Sequence, residues 1–181
     1  MKRAPPWAGC RSANPRTLRR SDWLPVFDIF VLNALVTIVL GCLIVGLFHG
    51  TANHAAARIA DAPSLDTALF FLSSTIRILG EELLTIPPFL AFLTLLARFL
   101  PSRLALVLAA LGASAIFVHV HFPTSKLTAA QSLVGLVPIR TILLAPFVIA
   151  RNIWTSTGAH VLNDWAIFGL AILGGADVAG S

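Results

Sequence analysis

The stretch IFVLNALVTIVLGCLIVGLF runs from Ile29 to Phe48 and contains no charged residue. An α-helix of about 20 residues is roughly 30 Å long, which matches the hydrocarbon thickness of a bilayer. The stretch therefore predicts a membrane-spanning helix. Because the apolar run exceeds the length of about 7 to 15 residues typical of a signal-peptide core, we expect an uncleaved first span.

The composition of the whole chain excludes an ordinary soluble domain. Of 181 residues, 57% are hydrophobic and 12% are charged, and the mean hydropathy is +0.86. Soluble domains contain about twice that charged fraction. About 155 residues follow the N-terminal tail, enough for five or six crossings at roughly 20 residues each plus loops. The sequence predicts an all-α, polytopic transmembrane helix bundle with five or six spans, including proline-broken helices.

A basic tail precedes the first span. It contains six of the 13 lysines and arginines, and no acidic residue precedes Asp22. A basic segment beside a span is typical of a cytoplasmic anchor, which we favour over nucleic-acid binding. We therefore divide the chain into a cytoplasmic tail, 1–22, and a single transmembrane helical domain, 23–181. The expected location is a bacterial inner (plasma) membrane, with the N-terminus in the cytoplasm.

Polar residues and prolines divide the transmembrane domain. Polar residues predict a loop over 50–66. The next apolar segment, 67–100, contains Pro87-Pro88 and predicts either one kinked, tilted crossing or two short ones. Further spans are expected over 104–122, over 129–150 with breaks at Pro138 and Pro146, and from near Arg151 to 174–175. The charges between spans favour five spans over six.

Several charged and polar side chains fall inside these expected spans, and such side chains often mark function because they are costly in a membrane. They are Arg77, Glu81, Glu82, His119, His121, Arg140, His160, Asn163 and Asp164. Helical spacing puts Arg77, Glu81 and Thr85 on one face. It also puts His160 on one face with both Asn163 and Asp164. Since His119 and His121 point to different sides, only one of them is expected to join a given cavity.

These residue types can support hydrolysis. Two adjacent carboxylates do not both ionise freely in a low dielectric, so one of them can act as a general base toward water. Histidines can orient that water or donate to a developing oxyanion. The alternative is structural, with Glu81 paired to Arg77 and the histidines bonded across helices. The number of such residues in one chain favours a site.

Three motifs resemble those of a known family: Glu81-Glu82, then Phe117-Val118-His119-Val120-His121, then His160-Val161-Leu162-Asn163-Asp164. In order and spacing they are similar to the motifs of the CPBP family, the CAAX proteases and bacteriocin-processing (Abi) proteins. The resemblance implies an intramembrane glutamic endopeptidase without a covalent acyl-enzyme.

The resemblance also implies a role for each matched residue. Glu81 would be the general base, Glu82 its neighbour and His121 a partner in activating water, with Phe117 four residues before it. His160 with Asp164 would be the oxyanion or orienting pair. The implied substrate is a membrane-anchored, prenylated or C-terminal sorting-signal-bearing protein or lipidated peptide in the lipid bilayer, with no metal or cofactor and no nucleic acid.

The chain departs from the family pattern at two positions. The family has an arginine four residues after the second glutamate, where this chain has Ile86. Arg77, one turn before Glu81, or Arg140, in another span, could supply the missing cation. The second departure is Asp164, because an ionised aspartate cannot donate to an oxyanion. Asp164 could instead orient His160, or the amide of Asn163 could donate.

A simple count of spans separates the two histidine motifs. At about 1.5 Å per residue, His121 is about 27 Å beyond Arg103, whereas His160 is about 14 Å beyond Arg151. With one span between them, they fall toward opposite membrane faces. A shared site therefore requires tilted helices or an incomplete crossing by 129–150.

Three alternatives to a glutamic protease stay open at this stage. A zinc-dependent hydrolase could use His121, His160 and either Glu81 or Asp164 as ligands. A noncatalytic membrane subunit or transporter could use the buried Arg, Glu and His groups to carry protons or bind a partner. A serine nucleophile at Ser156, four residues before His160, is the third.

Overall fold

The computed structural model describes residues 23–48, 63–125 and 132–173. Those residues form helices, with no strand among them. In chain order the helices are α1 (Trp23–Phe48), α2 (Ser64–Leu96), α3 (Ser102–Ser125), α4 (Val137–Leu143), α5 (Ala145–Ala150) and α6 (Ile153–Leu173). A π-helical segment, Ser132–Leu136, leads directly into α4. The predicted tail, 1–22, and most of the predicted loop over 50–66 lie outside the described residues.

Four segments of the described chain are long and apolar enough to cross a membrane: Val26–Ile44, Ser64–Leu96, Ser102–Phe122 and Ser132–Ala150. The all-α architecture is confirmed, but the prediction of five or six spans is not. Helix α6 contains 21 residues, so its length suffices for a crossing. It is not among the four segments, and it contains the polar residues His160, Asn163 and Asp164.

Helix α2 passes through Pro87 and Pro88 without interruption. Of the two arrangements predicted for 67–100, the structure therefore has the single long helix. The helix begins at Ser64, so the end of the predicted loop is helical. Thr67 donates through both its amide and its hydroxyl to the carbonyl oxygen of Pro63, at 3.0 and 3.1 Å, which stabilises the first turn.

Helices α2 and α3 pack closely because α3 presents small residues to α2. Ala109 and Ala113 are fully buried in a core cluster with Ile86 and Phe89 of α2. A Cβ atom at Gly112 would lie only 3.2 Å from the Phe92 ring. Small residues allow backbones to approach in this way in membrane helix pairs, where no hydrophobic effect drives association.

Helix α6 runs antiparallel to α2. Ser156, near the start of α6, contacts Glu82, and Trp165, farther along α6, donates from Nε1 to the hydroxyl of Ser74 at 3.2 Å. Residue numbers therefore rise along one helix as they fall along the other. Edge-to-face aromatic pairs also lie between the two helices. The ring centroids of Phe70 and Phe168 are 5.0 Å apart.

Prolines lie in the first turns of the two short helices that follow α3. Pro138 is the second residue of α4 and Pro146 the second residue of α5, positions at which the missing amide proton costs no helical hydrogen bond. A turn at Leu144 separates α4 from α5 just before Pro146, as predicted for that proline, whereas at Pro138 the π-helical segment passes directly into α4. Arg151 then adopts a left-handed backbone conformation, with φ of 53°, and the chain turns back into α6.

Candidate active site

The adjacent residues Glu81 and Glu82 lie in the middle of α2 and point in different directions. The side chain of Glu82 is 0% exposed, whereas that of Glu81 is 13% exposed. Consecutive residues of an α-helix are about 100° apart around the axis, so the pair faces two environments. The two carboxylates therefore cannot be equivalent.

Hydrogen bonds occupy both carboxylate oxygens of Glu82. Its Oε1 accepts from Arg140 Nη1 at 2.7 Å and lies 3.0 Å from His160 Nδ1. Its Oε2 accepts from the hydroxyl of Ser156, which also lies 3.1 Å from the carbonyl oxygen of Leu143. A buried carboxylate is stable only with partners of this kind. Glu82 links α2 to α4 and α6.

Arg140 is the cation beside Glu82. Its Nη2 and Nε donate to the Thr85 hydroxyl at 2.7 and 3.1 Å, and Nη2 donates to the backbone oxygen of Glu81 at 3.0 Å. Its guanidinium carbon lies 4.5 Å above the Phe117 ring, a cation–π contact. Of the two arginines that the sequence offered, Arg140 contacts Glu82, and Arg77 lies beside Glu81.

Glu81 has looser surroundings. Its Oε1 lies 3.6 Å from both Arg77 Nε and His121 Nε2, and its Oε2 lies 3.7 Å from His160 Nε2. These separations are longer than direct hydrogen bonds between nitrogen and oxygen. The Glu81 carboxylate therefore keeps lone pairs that can accept from a water molecule, and three basic side chains surround it.

His121, and not His119, joins the site. Its Nδ1 lies 3.0 Å from the backbone oxygen of Phe117, so an Nδ1–H tautomer donates there and leaves the Nε2 lone pair toward Glu81. The imidazole also stacks on the Phe117 ring, with centroids 4.0 Å apart. His119 is exposed on another side of α3.

His160 lies between the two glutamates. Its Nδ1 lies 2.8 Å from Arg140 Nη1 and 3.0 Å from Glu82 Oε1, while its Nε2 faces Glu81 Oε2 and Asp164 Oδ1, both at 3.7 Å. A guanidinium can only donate to Nδ1 and an ionised carboxylate can only accept from it, so the two contacts at Nδ1 are compatible with different ring tautomers; a bond from Arg140 corresponds to the tautomer with the proton on Nε2. In that tautomer the N–H points toward Glu81 and Asp164.

The two histidine motifs meet at Glu81, although counting spans separated them. Helix α3 ends at Ser125, one turn beyond His121, so the site lies near the end of α3. Helix α4 runs antiparallel to α3, since Thr141 contacts Ser114 at 3.0 Å while Arg140 contacts Phe117. Ten residues lead from Arg140 to Ala150, where α5 ends, and ten more lead to His160, which contacts Arg140 again. The structure thus brings His121 and His160 to one site with a segment between them, Ser132–Ala150, that is long enough to cross a membrane.

Asn163 and Asp164 face different partners. Asn163 is buried, and its Nδ2 donates to Asp164 Oδ1 at 3.3 Å, while its Oδ1 accepts from Asn33 Nδ2 at 2.9 Å. No contact joins Asn163 to either glutamate among the described residues. The geometry thus puts Asp164 beside His160, in the orienting position, and directs the Asn163 amide toward Asp164.

Helical spacing along the sequence puts Thr85 on the face of Glu81 but does not indicate Asn33 as a partner in the site. It offers Ser156 only as a possible nucleophile. Ser156 is 0% exposed and bonded to Glu82, which does not leave it open to a substrate. The signal for Asn33 was present in the sequence, because it is an amide inside an uncharged span. Its partner on α6 lies far along the chain and could not be identified from spacing.

Within 23–48, 63–125 and 132–173, no group of three or more His, Cys, Asp or Glu side chains has an arrangement that could hold a metal ion. Comparison of the chain with protein-family models, with curated proteins and with solved structures gives no match. The resemblance to the CPBP motifs therefore rests on the three motifs themselves.

Proposed function

We propose that the chain is an intramembrane endopeptidase in which Glu81 activates a water molecule to cleave a peptide bond. The observation that carries this proposal is the difference between the two glutamates. Glu82 is fully buried with both oxygens bonded, while Glu81 is partly exposed and lies 3.6 to 3.7 Å from Arg77, His121 and His160. A general base must reach water, and only Glu81 of the pair can do so.

The proposed reaction uses the groups around Glu81 in turn. A water held by Glu81 and the Nε2 lone pair of His121 loses a proton to the Glu81 carboxylate and attacks the substrate carbonyl carbon. The Nε2–H of His160 donates to the oxyanion that forms. The proton on Glu81 then moves to the leaving amide nitrogen, the C–N bond breaks, and a carboxylate and an amine are released without an acyl-enzyme.

Arg140 and Glu82 are assigned to positioning. The guanidinium donates to Glu82 and, in this proposal, also to His160 Nδ1, which keeps the ring proton of His160 on Nε2. A charged pair buried in the bundle holds this geometry only while both partners are present. In this proposal Arg140 replaces the arginine that the family pattern has at the position of Ile86.

We infer that the chain has five spans, with α6 as the fifth and the N-terminus in the cytoplasm of a bacterial inner membrane. Helix α6 buries its polar residues His160 and Asn163, and it exposes Leu162, Trp165 and Leu170. A helix with this distribution can face lipid with its apolar side while its polar side faces the bundle.

The proposed substrate is a polypeptide within or anchored to the membrane, such as a prenylated protein or one bearing a C-terminal sorting signal. Helix α6 packs on one side of the N-terminal half of α2, while the side turned away from Glu81 is apolar and exposed among the described residues, as expected for contact with lipid. Its Leu69, Leu72 and Ile76 are 54, 63 and 71% exposed. On the face of Glu81, the side chain of Arg77 lies one turn earlier and is 59% exposed, so a substrate segment can approach Glu81 beside Arg77.

The test is processing of a co-expressed membrane-anchored reporter by the wild type and by Glu81→Gln. We expect the substitution to abolish cleavage, because the neutral amide cannot take the proton from water. His121→Gln should lower cleavage strongly, and His119→Gln, on the exposed side of the same helix, is its matched control. Unchanged cleavage by Glu81→Gln at equal protein accumulation would rule out the glutamate base.

One observation favours a noncatalytic membrane subunit or transporter as the second candidate. The ion pair between Arg140 and Glu82 is buried at 2.7 Å, and buried ionisable pairs in membrane helices also serve in proton relays and helix assembly. Under this alternative neither the wild type nor Glu81→Gln processes the reporter above background. Glu82→Gln then changes proton-coupled transport or partner binding.

A further inference from the structure

Helix α1 contributes one buried polar side chain to the site. Asn33 is 0% exposed, and its Nδ2 donates to Asn163 Oδ1 at 2.9 Å. It therefore joins the first span, which the sequence predicts only as an apolar crossing, to the helix that carries His160.

A series of polar contacts leads from Asn33 to His160. Asn33 donates to Asn163, Asn163 Nδ2 donates to Asp164 Oδ1 at 3.3 Å, and the same Oδ1 lies 3.7 Å from His160 Nε2. The direction of each contact matters, because a carboxamide has one donor end and one acceptor end. If the Asn163 amide were reversed, its oxygen would face the Asp164 carboxylate, which has only acceptors when ionised.

The bond from Asn33 stabilises this orientation. Its donor engages the oxygen of Asn163, so the amide nitrogen of Asn163 remains directed at Asp164. Packing alone does not explain an asparagine here, because Asn33 Oδ1 is buried without a partner among the described residues. An unpaired buried acceptor costs free energy that an apolar side chain of the same size would avoid.

We propose that Asn33 is a positioning residue that sets the amide orientation of Asn163 and thereby holds Asp164 beside Nε2 of His160. This inference rests on the proposed function wherever activity is measured. The geometry that it concerns can also be measured directly, in the ring of His160, without any substrate.

The test compares Asn33→Leu with Thr37→Val. Leucine is close in shape to asparagine and removes the donor. Thr37 lies one turn farther along α1, and its hydroxyl is also buried without a partner among the described residues, so valine removes no hydrogen bond there. The two substitutions thus alter the same part of α1 and differ in whether a bond to α6 is lost.

The first measurement is the ¹⁵N NMR spectrum of histidine-labelled protein in detergent micelles, since the chain has five histidines. A His160→Gln spectrum assigns the signals of His160. We expect Asn33→Leu to shift the His160 nitrogen signals, and Thr37→Val to leave them in place. Adding Asn33→Leu to Asn163→Leu should produce no further shift, because the contact from α1 is already gone.

The second measurement is reporter cleavage. Interhelical hydrogen bonds in membranes are modest, so we expect Asn33→Leu to lower kcat about three- to tenfold with KM nearly unchanged. Thr37→Val should retain the wild-type kcat. The inference is overturned if the His160 signals do not shift in Asn33→Leu, even when that variant loses thermal stability. If Glu81→Gln still cleaves, the proposed function fails, and the NMR comparison still decides the role of Asn33.

Discussion

Arg140 Nη1 lies 2.7 Å from Glu82 Oε1, and this ion pair joins α4 to α2 inside the helix bundle. Both side chains are almost completely buried, with 3 and 0% of their surface exposed. A buried pair of this kind adds little net stability relative to an apolar pair, but the loss of one partner leaves an uncompensated charge. Its contribution to the site is therefore geometric, through His160.

We expect Arg140→Gln to destabilise the protein by about 3 to 5 kcal/mol, because Glu82 would remain buried without its cation. Thermal unfolding in detergent measures the change. Arg77→Gln is the matched control, since Arg77 is 59% exposed and its loss should cost about 1 kcal/mol or less. Equal destabilisation by the two substitutions would contradict the assignment of Arg140 to the core.

Substitution by glutamine should mainly lower protein stability at Glu82 and mainly abolish cleavage at Glu81. Glu82→Gln replaces a carboxylate whose oxygens are both engaged, so we expect a loss of about 2 kcal/mol or more in unfolding free energy. Glu81→Gln removes a charge whose nearest basic partners lie 3.6 Å away, and it should change stability little while abolishing cleavage. Unfolding midpoints and reporter processing on the same preparations separate the two effects. A stable, inactive Glu82→Gln would reverse the assigned roles.

Ser156→Ala distinguishes a structural serine from a nucleophile. Because Ser156 is buried against Glu82, we expect the alanine variant to retain cleavage and to lose about 1 to 2 kcal/mol of stability. A serine-reactive fluorophosphonate probe should leave the wild type unlabelled. Complete loss of cleavage at normal protein accumulation, together with labelling of the wild type, would instead identify Ser156 as the nucleophile.

Removal of divalent metal tests the zinc-dependent alternative. The proposed mechanism assigns proton transfer to Glu81 and oxyanion binding to His160, so treatment with EDTA or phenanthroline should not reduce cleavage. The control is a zinc metalloprotease inhibited in the same detergent. Inhibition that added zinc reverses would favour a site built from His121 and His160 with Glu81 or Asp164.

Local spacing predicted the parts of the site that lie within one helix. Arg77 and Glu81, and likewise His160 and Asp164, are four residues apart, and the structure puts each pair within 3.7 Å. The contact between Arg140 and Glu82 joins distant parts of the chain and depends on where the short helices begin. No helical periodicity encodes such a contact, so the sequence could offer Arg140 only as one of two candidates.

The number of spans was harder to predict because α6 combines two roles. Its buried polar residues lower its hydropathy, while its exposed Leu162, Trp165 and Leu170 suit contact with lipid. If α6 is the fifth span and the N-terminus is cytoplasmic, a fusion placed after Leu173 lies outside the cytoplasm. We therefore expect an alkaline phosphatase fusion there to be active and a green fluorescent protein fusion to be dark. A fusion in the turn between α2 and α3, near Arg98, should show the opposite pair of signals if it is cytoplasmic. A fluorescent fusion after Leu173 would contradict five spans and would require an even number of crossings.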